Sequence, residues 1–188
     1  MVSCNSKWGT LFLLIGNSGS GKDSLIRWVI EKWPSDRPAP VVPTRVITRP
    51  SSPETEAFES ISEDQFQKLS KAGAFSLQWT SYRIYYGIHV EIEDALTRSR
   101  SVLVNVSRQI VEAARNRFPK VCVIFIRVPY HITEARLRSR DREHGIDLEN
   151  RLARALQNQE FPTADYTIDN SGDITVAGQE LLNILLKY

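Results

Sequence analysis

The sequence predicts a three-layer α/β fold, in which a parallel β-sheet lies between two layers of helices. Short apolar runs alternate with amphipathic stretches along most of the chain, which is the order that parallel strands with crossover helices produce. The first apolar run leads directly into a glycine-rich turn and then a helical pattern. The 188 residues, 41% apolar and 24% charged, suit one globular domain.

Five runs are expected to form the core sheet. A continuous apolar run that ends at a glycine, as residues 11–15 do at Gly16, is typical of a strand buried on both faces. The five lie near residues 11–15, 41–48, 102–106, 121–128 and 166–169. Helical spacing predicts helices near residues 24–30, 62–72, 89–97, 109–116, 132–140 and 148–157, with a last one after Gly172. Ser62 and Gln65 are predicted to form a capping box at the second helix.

The whole chain, residues 1–188, is interpreted as one domain. Residues from about 45 to 87 break the alternation of strands and helices, so we expect a small inserted subdomain there. The arginine-rich stretch at about 138–147 is expected to form a helical lid. The core then comprises about 8–44 and 88–188.

Charge and cysteine content exclude several classes of protein. With 24 basic and 22 acidic residues the net charge is only +2, too small for a protein that coats nucleic acid. Cys4 and Cys122 lie far apart and have no metal-site spacing. The apolar run of 11–15 is too short to span a bilayer. We therefore expect a cytoplasmic protein with reduced thiols and with neither a nucleic-acid nor a membrane partner.

Residues 16–22 match the phosphate-loop pattern G-x-x-x-x-G-K between a strand and a helix. Glycines let the backbone turn tightly so that its N–H groups meet a phosphate, and the helix N-terminus adds about half a positive charge. Lys22 is expected to reach the β- and γ-phosphates and to be catalytic. The other predicted nucleotide contacts here are Gly16, Asn17, Ser18, Gly19, Ser20, Gly21, Asp23 and Ser24. A glycine-rich turn with a surface lysine is the alternative, which the strand and helix on either side disfavour.

Asp23 stands where the motif has the Ser or Thr that binds Mg²⁺. Ser24 is no geometric replacement, because it lies about 100° further round the helix. Two interpretations of Asp23 stay open. It holds Mg²⁺ through a bound water, or it only complements the positive end of the helix.

Arginines are the candidate ligands of a second phosphate, because phosphoryl transfer depends on positioning and charge neutralisation. Arg49 follows one predicted strand, and Tyr86 offers a phenol in the sequence Tyr-Tyr-Gly. A third group comprises Arg136, Arg138, Arg140, Arg142 and Arg151. Arg138 and Arg142 have a second interpretation as a solvated helix face.

As a set, these motifs resemble the guanylate kinase family. They are GNSGSGKDS, ITRP, AFSLQW, YYG, VLVN, RLRSRDRE and ENRLARA, in this order from about residue 11 to the C-terminal helix. The resemblance implies a P-loop fold like that of nucleoside monophosphate kinases, with ATP as co-substrate and Mg²⁺. It implies that Arg49 and Tyr86 bind the phosphate of the acceptor. It also implies lid-region roles for Arg136 at the nucleotide and for Arg140 and Arg151 in catalysis.

The carboxylates with which guanylate kinases recognise guanine are missing. Gln78 stands at one such position, and Asn105-Val106-Ser107 stands where a Glu-x-Asp pair is expected. Ser52 replaces the second acceptor arginine, and Ile88 replaces the serine after Tyr-Tyr-Gly. The phosphate-binding residues are thus partly kept, whereas the base-binding residues are not.

This combination resembles one branch, the ribose 1,5-bisphosphate phosphokinases of phosphonate catabolism. The shared motifs are GSGKDS at 19–24, VITRP at 46–50, F-x-x-x-W at 75–79, YGI at 86–88 and LVN-x-SR at 103–108. The resemblance implies ATP-dependent phosphorylation of ribose 1,5-bisphosphate to 5-phosphoribosyl 1-diphosphate and ADP. Asn105 and Arg108 then become candidate substrate contacts, and the partner is a small sugar phosphate bound by a monomer or homodimer.

The chain departs from this branch at two places. The His and Gly expected between Trp79 and Tyr86 are absent, and so is a Gly-Glu-x-His pattern after Pro50. Two other functions stay open. One is a guanylate or other nucleoside monophosphate kinase, and the other is a non-catalytic guanylate-kinase-like module that binds a phosphorylated protein segment. Lys22 and the intact glycines argue against the non-catalytic module.

Overall fold

The computed structural model of the chain describes residues 8–50, 58–139 and 145–188. The strands are β1 (Leu11–Gly16), β2 (Arg45–Ile47), β3 (Phe58–Ser60), β4 (Phe75–Ser81), β5 (Ile84–His89), β6 (Val102–Asn105), β7 (Val121–Arg127) and β8 (Tyr166–Asp169). The helices are α1 (Lys22–Glu31), α2 (Glu63–Lys71), α3 (Glu91–Thr97), α4 (Val111–Arg117), α5 (Tyr130–Ser139), α6 (Gly145–Gln157) and α7 (Ile174–Leu185). A 3₁₀ turn, Arg108–Ile110, leads into α4.

The core sheet of the described residues has four strands, in the order β6-β1-β7-β8. Residues 11–15 of β1 and 122–126 of β7 are buried, as expected for strands covered on both faces. Strand β8 pairs with β7 in parallel, with Ile126 opposite Ile168. The predicted α/β fold with a parallel sheet and helices is therefore confirmed, but the predicted fifth strand is wrong.

A proline at position 43 explains why residues 41–48 do not form the predicted fifth strand of the core sheet. Val41 forms an isolated parallel bridge with Val102, donating to the Ser101 carbonyl at 2.8 Å and accepting from the Leu103 N–H at 2.9 Å. The next ladder bond on that side would need the N–H of residue 43, which is a proline and has none. The predicted strand of 41–48 is thus divided, and its second part becomes β2 in another sheet.

The second sheet is formed by β2, β3, β4 and β5, in the order β3-β2-β5-β4. Strands β2 and β3 are parallel, whereas β2–β5 and β4–β5 are antiparallel. Helix α2 covers a small core of Val46, Phe66 and Phe75. The predicted capping box at its start is confirmed, because Ser62 accepts from the Gln65 N–H and Gln65 accepts from the Ser62 N–H.

The β4–β5 hairpin turns at Tyr82 and Arg83, whose φ angles are 51° and 61°. A two-residue turn of type I′ requires positive φ at both central positions and favours Asn-Gly there. The turn lies between Trp79 and Tyr86, the stretch in which the resemblance leads us to expect a His and a Gly, and the chain builds it from two residues that rarely adopt this conformation.

The chain divides into two compact units. One comprises residues 1–13 and 38–121, and it includes the second sheet. The other comprises residues 14–37 and 122–188, and it includes the glycine loop. Within the described residues, every helix is too short or too polar to cross a membrane.

A buried serine anchors a carboxylate in the first unit. Ser76 on β4 donates its hydroxyl to Glu93 on α3, and Arg117 donates to the same Glu93 oxygen at 2.7 Å. The Ser76 hydrogen bond, followed by the Arg117 hydrogen bond and charge, holds the pKa of Glu93 below its ordinary 4.5 against the opposing effect of burial. The ionised form of Glu93 is therefore stabilised by folding.

We expect Glu93→Gln to lower the free energy of unfolding at pH 7 by less than about 1 kcal/mol, because the side chain is 35% exposed and its charge is screened. Since the pKa of Glu93 is lowered on folding, its contribution is present above the unfolded-state value and lost as pH falls through the folded-state value. Urea unfolding of both proteins at pH 7 and about pH 3 should give a smaller difference at the lower pH. An equal difference at both would contradict this account.

Candidate functional site

The glycine loop joins β1 to α1 in the second unit. Gly16 has φ of 155° and Gly21 has φ of 84°. A Cβ at Gly16 would lie 2.7 Å from the Ile126 carbonyl oxygen, and one at Gly21 would lie 2.5 Å from Asn170 Nδ2. Neither position has room for a side chain, so the tight turn depends on glycine.

Lys22, the first residue of α1, folds its side chain back over the loop. Its Nζ donates to the carbonyl oxygens of Gly16 at 2.9 Å and Asn17 at 2.8 Å, and to Ser20 Oγ at 3.1 Å. The ammonium charge is thereby fixed against the loop. No described side chain caps α1 at Gly21, and an anion seated in the loop would supply that cap.

Two arginines from neighbouring helices reach the same loop. Arg136 on α5 donates to the Asn170 carbonyl oxygen at 3.1 Å and to that of Gly19 at 3.5 Å. Arg151 on α6 donates to Ser18 Oγ at 3.1 Å. Three cationic side chains predicted to act at the nucleotide, Lys22, Arg136 and Arg151, are therefore brought together at one turn.

Of the remaining arginines of that predicted group, the structure describes only Arg138. Arg138 is half exposed and pairs along its own helix with Glu134 at 2.8 Å, as a solvated helix face does. Arg140 and Arg142 lie outside the described residues, as do Cys4 and Ser52. Of the predicted lid, 138–139 end α5 and 145–147 begin α6, whereas 140–144 lie outside the described residues.

Asn170 is a site residue that sequence analysis missed. It follows β8, is only 4% exposed, and donates from Nδ2 to the Ser20 carbonyl oxygen at 2.8 Å. Its own backbone carbonyl accepts the Arg136 hydrogen bond. A polar residue at the carboxyl end of a parallel strand lies on the edge where ligands bind in such sheets, and that signal would have identified it.

Asp23 and Ser24 lie in the first turn of α1, Asp23 half-buried and Ser24 exposed. Within the described ranges, no three His, Cys, Asp or Glu residues cluster closely enough to hold a metal ion. A single carboxylate beside the loop fits only an ion whose other ligands are phosphate oxygens and waters, which is how Mg²⁺ accompanies nucleotides.

Arg49 lies just after β2 in the first unit. Its guanidinium stands over the Phe58 ring, 5.2 Å from the centroid, and Ser60 Oγ donates to its backbone carbonyl at 2.8 Å. A half-buried arginine held against an aromatic face loses less side-chain entropy when it binds an anion.

Tyr86 lies on the neighbouring strand β5, opposite Ile47 of β2. Its ring stacks on Trp79 with centroids 5.2 Å apart and an angle of 2° between the planes. Gln78, next to Trp79, is exposed and accepts from Ser70 Oγ at 2.8 Å. The stack fixes the direction of the phenol, and the uncharged Gln78 is engaged with a serine.

Asn105 and Arg108 also belong to the first unit. Asn105 ends β6 and is only 7% exposed. Arg108 begins the 3₁₀ turn and is half-buried. All four predicted substrate contacts, Arg49, Tyr86, Asn105 and Arg108, are therefore carried by the unit that lacks the glycine loop.

Comparison with known proteins finds sequence matches over nearly the whole chain. Residues 9–187 match the family model described as guanylate kinase. Ribose 1,5-bisphosphate phosphokinase PhnN of Acidiphilium cryptum is 41% identical over 95% of this chain and 93% of its own length. The protein of the same name from Thiobacillus denitrificans is 37% identical over 94% and 93%.

The fold is similar to the crystal structure of guanylate kinase from Anaplasma phagocytophilum, with a TM-score of 0.72. That match covers 96% of this chain and 86% of the other, and at 20% identity it supports the fold alone. The sequence matches, which cover nearly the whole chain, identify the family as well as the fold. The chain belongs to the guanylate kinase family, and within it to the branch of the ribose 1,5-bisphosphate phosphokinases.

Proposed function

We propose that this protein transfers the γ-phosphoryl group of ATP to ribose 1,5-bisphosphate, giving 5-phosphoribosyl 1-diphosphate and ADP. Two features support the proposal together. The glycine loop is complete and is contacted by cationic side chains. In the unit without that loop, Gln78 and Asn105 stand in place of the carboxylates that recognise guanine. Its relatives of 37% and 41% identity bear the name of this activity.

On the donor side, the backbone of residues 16–21 and the N-terminus of α1 would surround the triphosphate. Lys22 now bonds three loop oxygens, and a bound β- or γ-phosphate would offer it stronger, charged acceptors. Arg136 and Arg151 would neutralise the charge that develops during transfer. Arg140 is proposed to join them in the lid, which excludes water that would otherwise hydrolyse ATP.

On the acceptor side, an oxygen of the C1 phosphate attacks the γ-phosphorus while the bond to the ADP oxygen breaks. Arg49 and Tyr86 are proposed to bind one phosphate of the sugar, and Arg108 the other, with Asn105 hydrogen-bonded to the substrate. A bisphosphate needs two phosphate-binding sites, and it has no base that the protein could recognise. The proposed partner is thus a small sugar phosphate in the cytoplasm.

Mg²⁺ is proposed to arrive with ATP, where it neutralises charge on the phosphate oxygens. Asp23 is the residue proposed to hold it, through a bound water. A bare carboxylate about 4 Å from a phosphate charge would cost roughly 4 kcal/mol at an effective dielectric of 20. An intervening cation removes that repulsion.

We expect Asp23→Ala to raise the Mg²⁺ concentration that gives half-maximal rate several-fold, because the variant loses a ligand of the hydrated ion. Steady-state rates in a Mg²⁺ titration measure this. Asp36→Ala, which alters an exposed carboxylate that follows the other end of α1, is the control and should leave the titration unchanged. An unchanged Mg²⁺ dependence with a slightly lower melting temperature would instead assign Asp23 to the helix N-terminus.

The product decides the proposal. Purified protein with ATP, Mg²⁺ and ribose 1,5-bisphosphate should give a pair of coupled ³¹P resonances in addition to the pair from ADP, while the C1 phosphate signal of the sugar disappears and its 5-phosphate signal stays unchanged. GMP in place of the sugar should give GDP only slowly. GDP as the main product would favour a guanylate kinase. Nucleotide binding without any transfer would favour the non-catalytic module.

A further inference from the structure

The side chain of Asn17 reaches out of the glycine loop to a neighbouring helix. Its Nδ2 donates to the carbonyl oxygens of Ala155 at 3.1 Å and Asn158 at 3.0 Å, where α6 ends. Both partners can only accept, so the amide nitrogen and both of its N–H groups are committed to α6. The side chain is thus engaged with protein, while the backbone of Asn17 remains part of the loop.

The end of α6 provides a strong acceptor for these bonds. The last carbonyl groups of a helix lack partners within it and carry the negative end of the helix dipole. Gln159 donates to the Ala155 carbonyl as well, and Asn158 Nδ2 donates to that of Arg154 at 2.7 Å. Those two caps come from the segment itself, whereas Asn17 ties the helix end to the loop.

A second contact joins the same helix to the same loop. Arg151, four residues before Ala155 and so on the same helix face, donates to Ser18 Oγ at 3.1 Å. Adjacent loop residues thus hold α6 at two points one turn apart. Rotating or sliding α6 would break the Asn17 bonds and move Arg151 off the loop.

We propose that Asn17 is a positioning residue that anchors α6 so that Arg151 is held at the phosphates bound in the loop. The inference rests on the proposed phosphoryl transfer, in which Arg151 stabilises the transferred charge. Asn17 contributes to turnover through Arg151 and does not contact the nucleotide with its side chain.

Kinetics of matched variants test the proposal. Asn17→Ala should lower kcat about tenfold, since two hydrogen bonds are lost, and change the KM for ATP less than about twofold. Asn17→Asp should be worse, because it puts a carboxylate against two carbonyl oxygens. Gln159→Ala removes a donor from the same Ala155 carbonyl without touching the loop, and it should keep kcat within about twofold.

A double-mutant cycle then asks whether Asn17 acts through Arg151. In an Arg151→Ala background, Asn17→Ala should cost little further activity, because the group it positions is gone. If Asn17→Ala lowered kcat by the same factor with and without Arg151, the two residues would act independently and the proposal would be overturned. A raised KM for ATP with unchanged kcat would also overturn it, since that would assign the side chain to the nucleotide itself.

Hydrogen exchange separates this inference from the proposed reaction. With a non-hydrolysable ATP analogue bound, the amides of residues 151–158 should exchange faster in Asn17→Ala than in wild type, whatever the acceptor is. Equal exchange in the two proteins would overturn the anchoring role even if the kinase activity is confirmed. Absent activity with faster exchange would refute the proposed function and retain the anchor.

Discussion

Replacing Lys22 with alanine should lower kcat/KM for phosphoryl transfer by about 10²- to 10³-fold, the effect typical of removing one group that stabilises a transition-state charge. The structure supplies the reason. The Lys22 ammonium is held against the loop by two carbonyl oxygens and Ser20 Oγ, at the turn where a phosphate would bind. Steady-state kinetics with ATP and ribose 1,5-bisphosphate measure the loss.

Lys32→Ala is the matched control for Lys22. Lys32 is exposed and stands at the other end of α1, so its removal changes net charge equally but leaves the loop intact. That variant should retain wild-type kinetics. If Lys22→Ala also turned over normally with a native melting temperature, the loop would not be the site of phosphoryl transfer.

Arg49→Ala should lower kcat/KM for ribose 1,5-bisphosphate by about 10- to 150-fold, which corresponds to roughly 1.5–3 kcal/mol for a charge-assisted hydrogen bond. The KM for ATP should stay unchanged, because Arg49 lies in the unit without the glycine loop. Arg49→Lys should keep only part of the activity, since lysine cannot offer the planar fork that binds phosphate in a bidentate manner.

Arg98→Ala serves as the control, because Arg98 is an exposed arginine at the end of α3 in the same unit. It should leave both substrates unaffected. If Arg49→Ala raised the KM for ATP as much as it lowered kcat/KM for ribose 1,5-bisphosphate, Arg49 would not be specific to the acceptor.

The sequence was sufficient for the phosphate loop because a local pattern determines that structure. Gly16, Gly21 and Lys22 lie within one short stretch, residues 16–22, and each is required by a backbone angle, a close contact or a charge. The capping box of Ser62 and Gln65 was predictable for the same reason. Contacts between distant residues were not, as Asn170 and the reach of Asn17 to Ala155 show.

The predicted number of core strands was wrong because an apolar run indicates a strand but not which strands it pairs with. Residues 41–48 have the composition of a strand, yet Pro43 stops the pairing with β6 after Val41, and β2 joins the other sheet. Residue roles at the acceptor cannot be predicted from local patterns either, since Arg49, Tyr86, Asn105 and Arg108 come from separate segments. The expectation that these four residues bind the acceptor comes from the resemblance to a family rather than from periodicity.

Acceptor preference tests the central claim most directly. A site that recognises a base through buried hydrogen bonds can discriminate by ~10⁴–10⁵, and here Gln78 and Asn105 stand where those carboxylates would be. The measurement is kcat/KM for ribose 1,5-bisphosphate and for GMP, at saturating ATP and Mg²⁺. We predict a preference of several orders of magnitude for the sugar bisphosphate, and a clear preference for GMP would contradict the account.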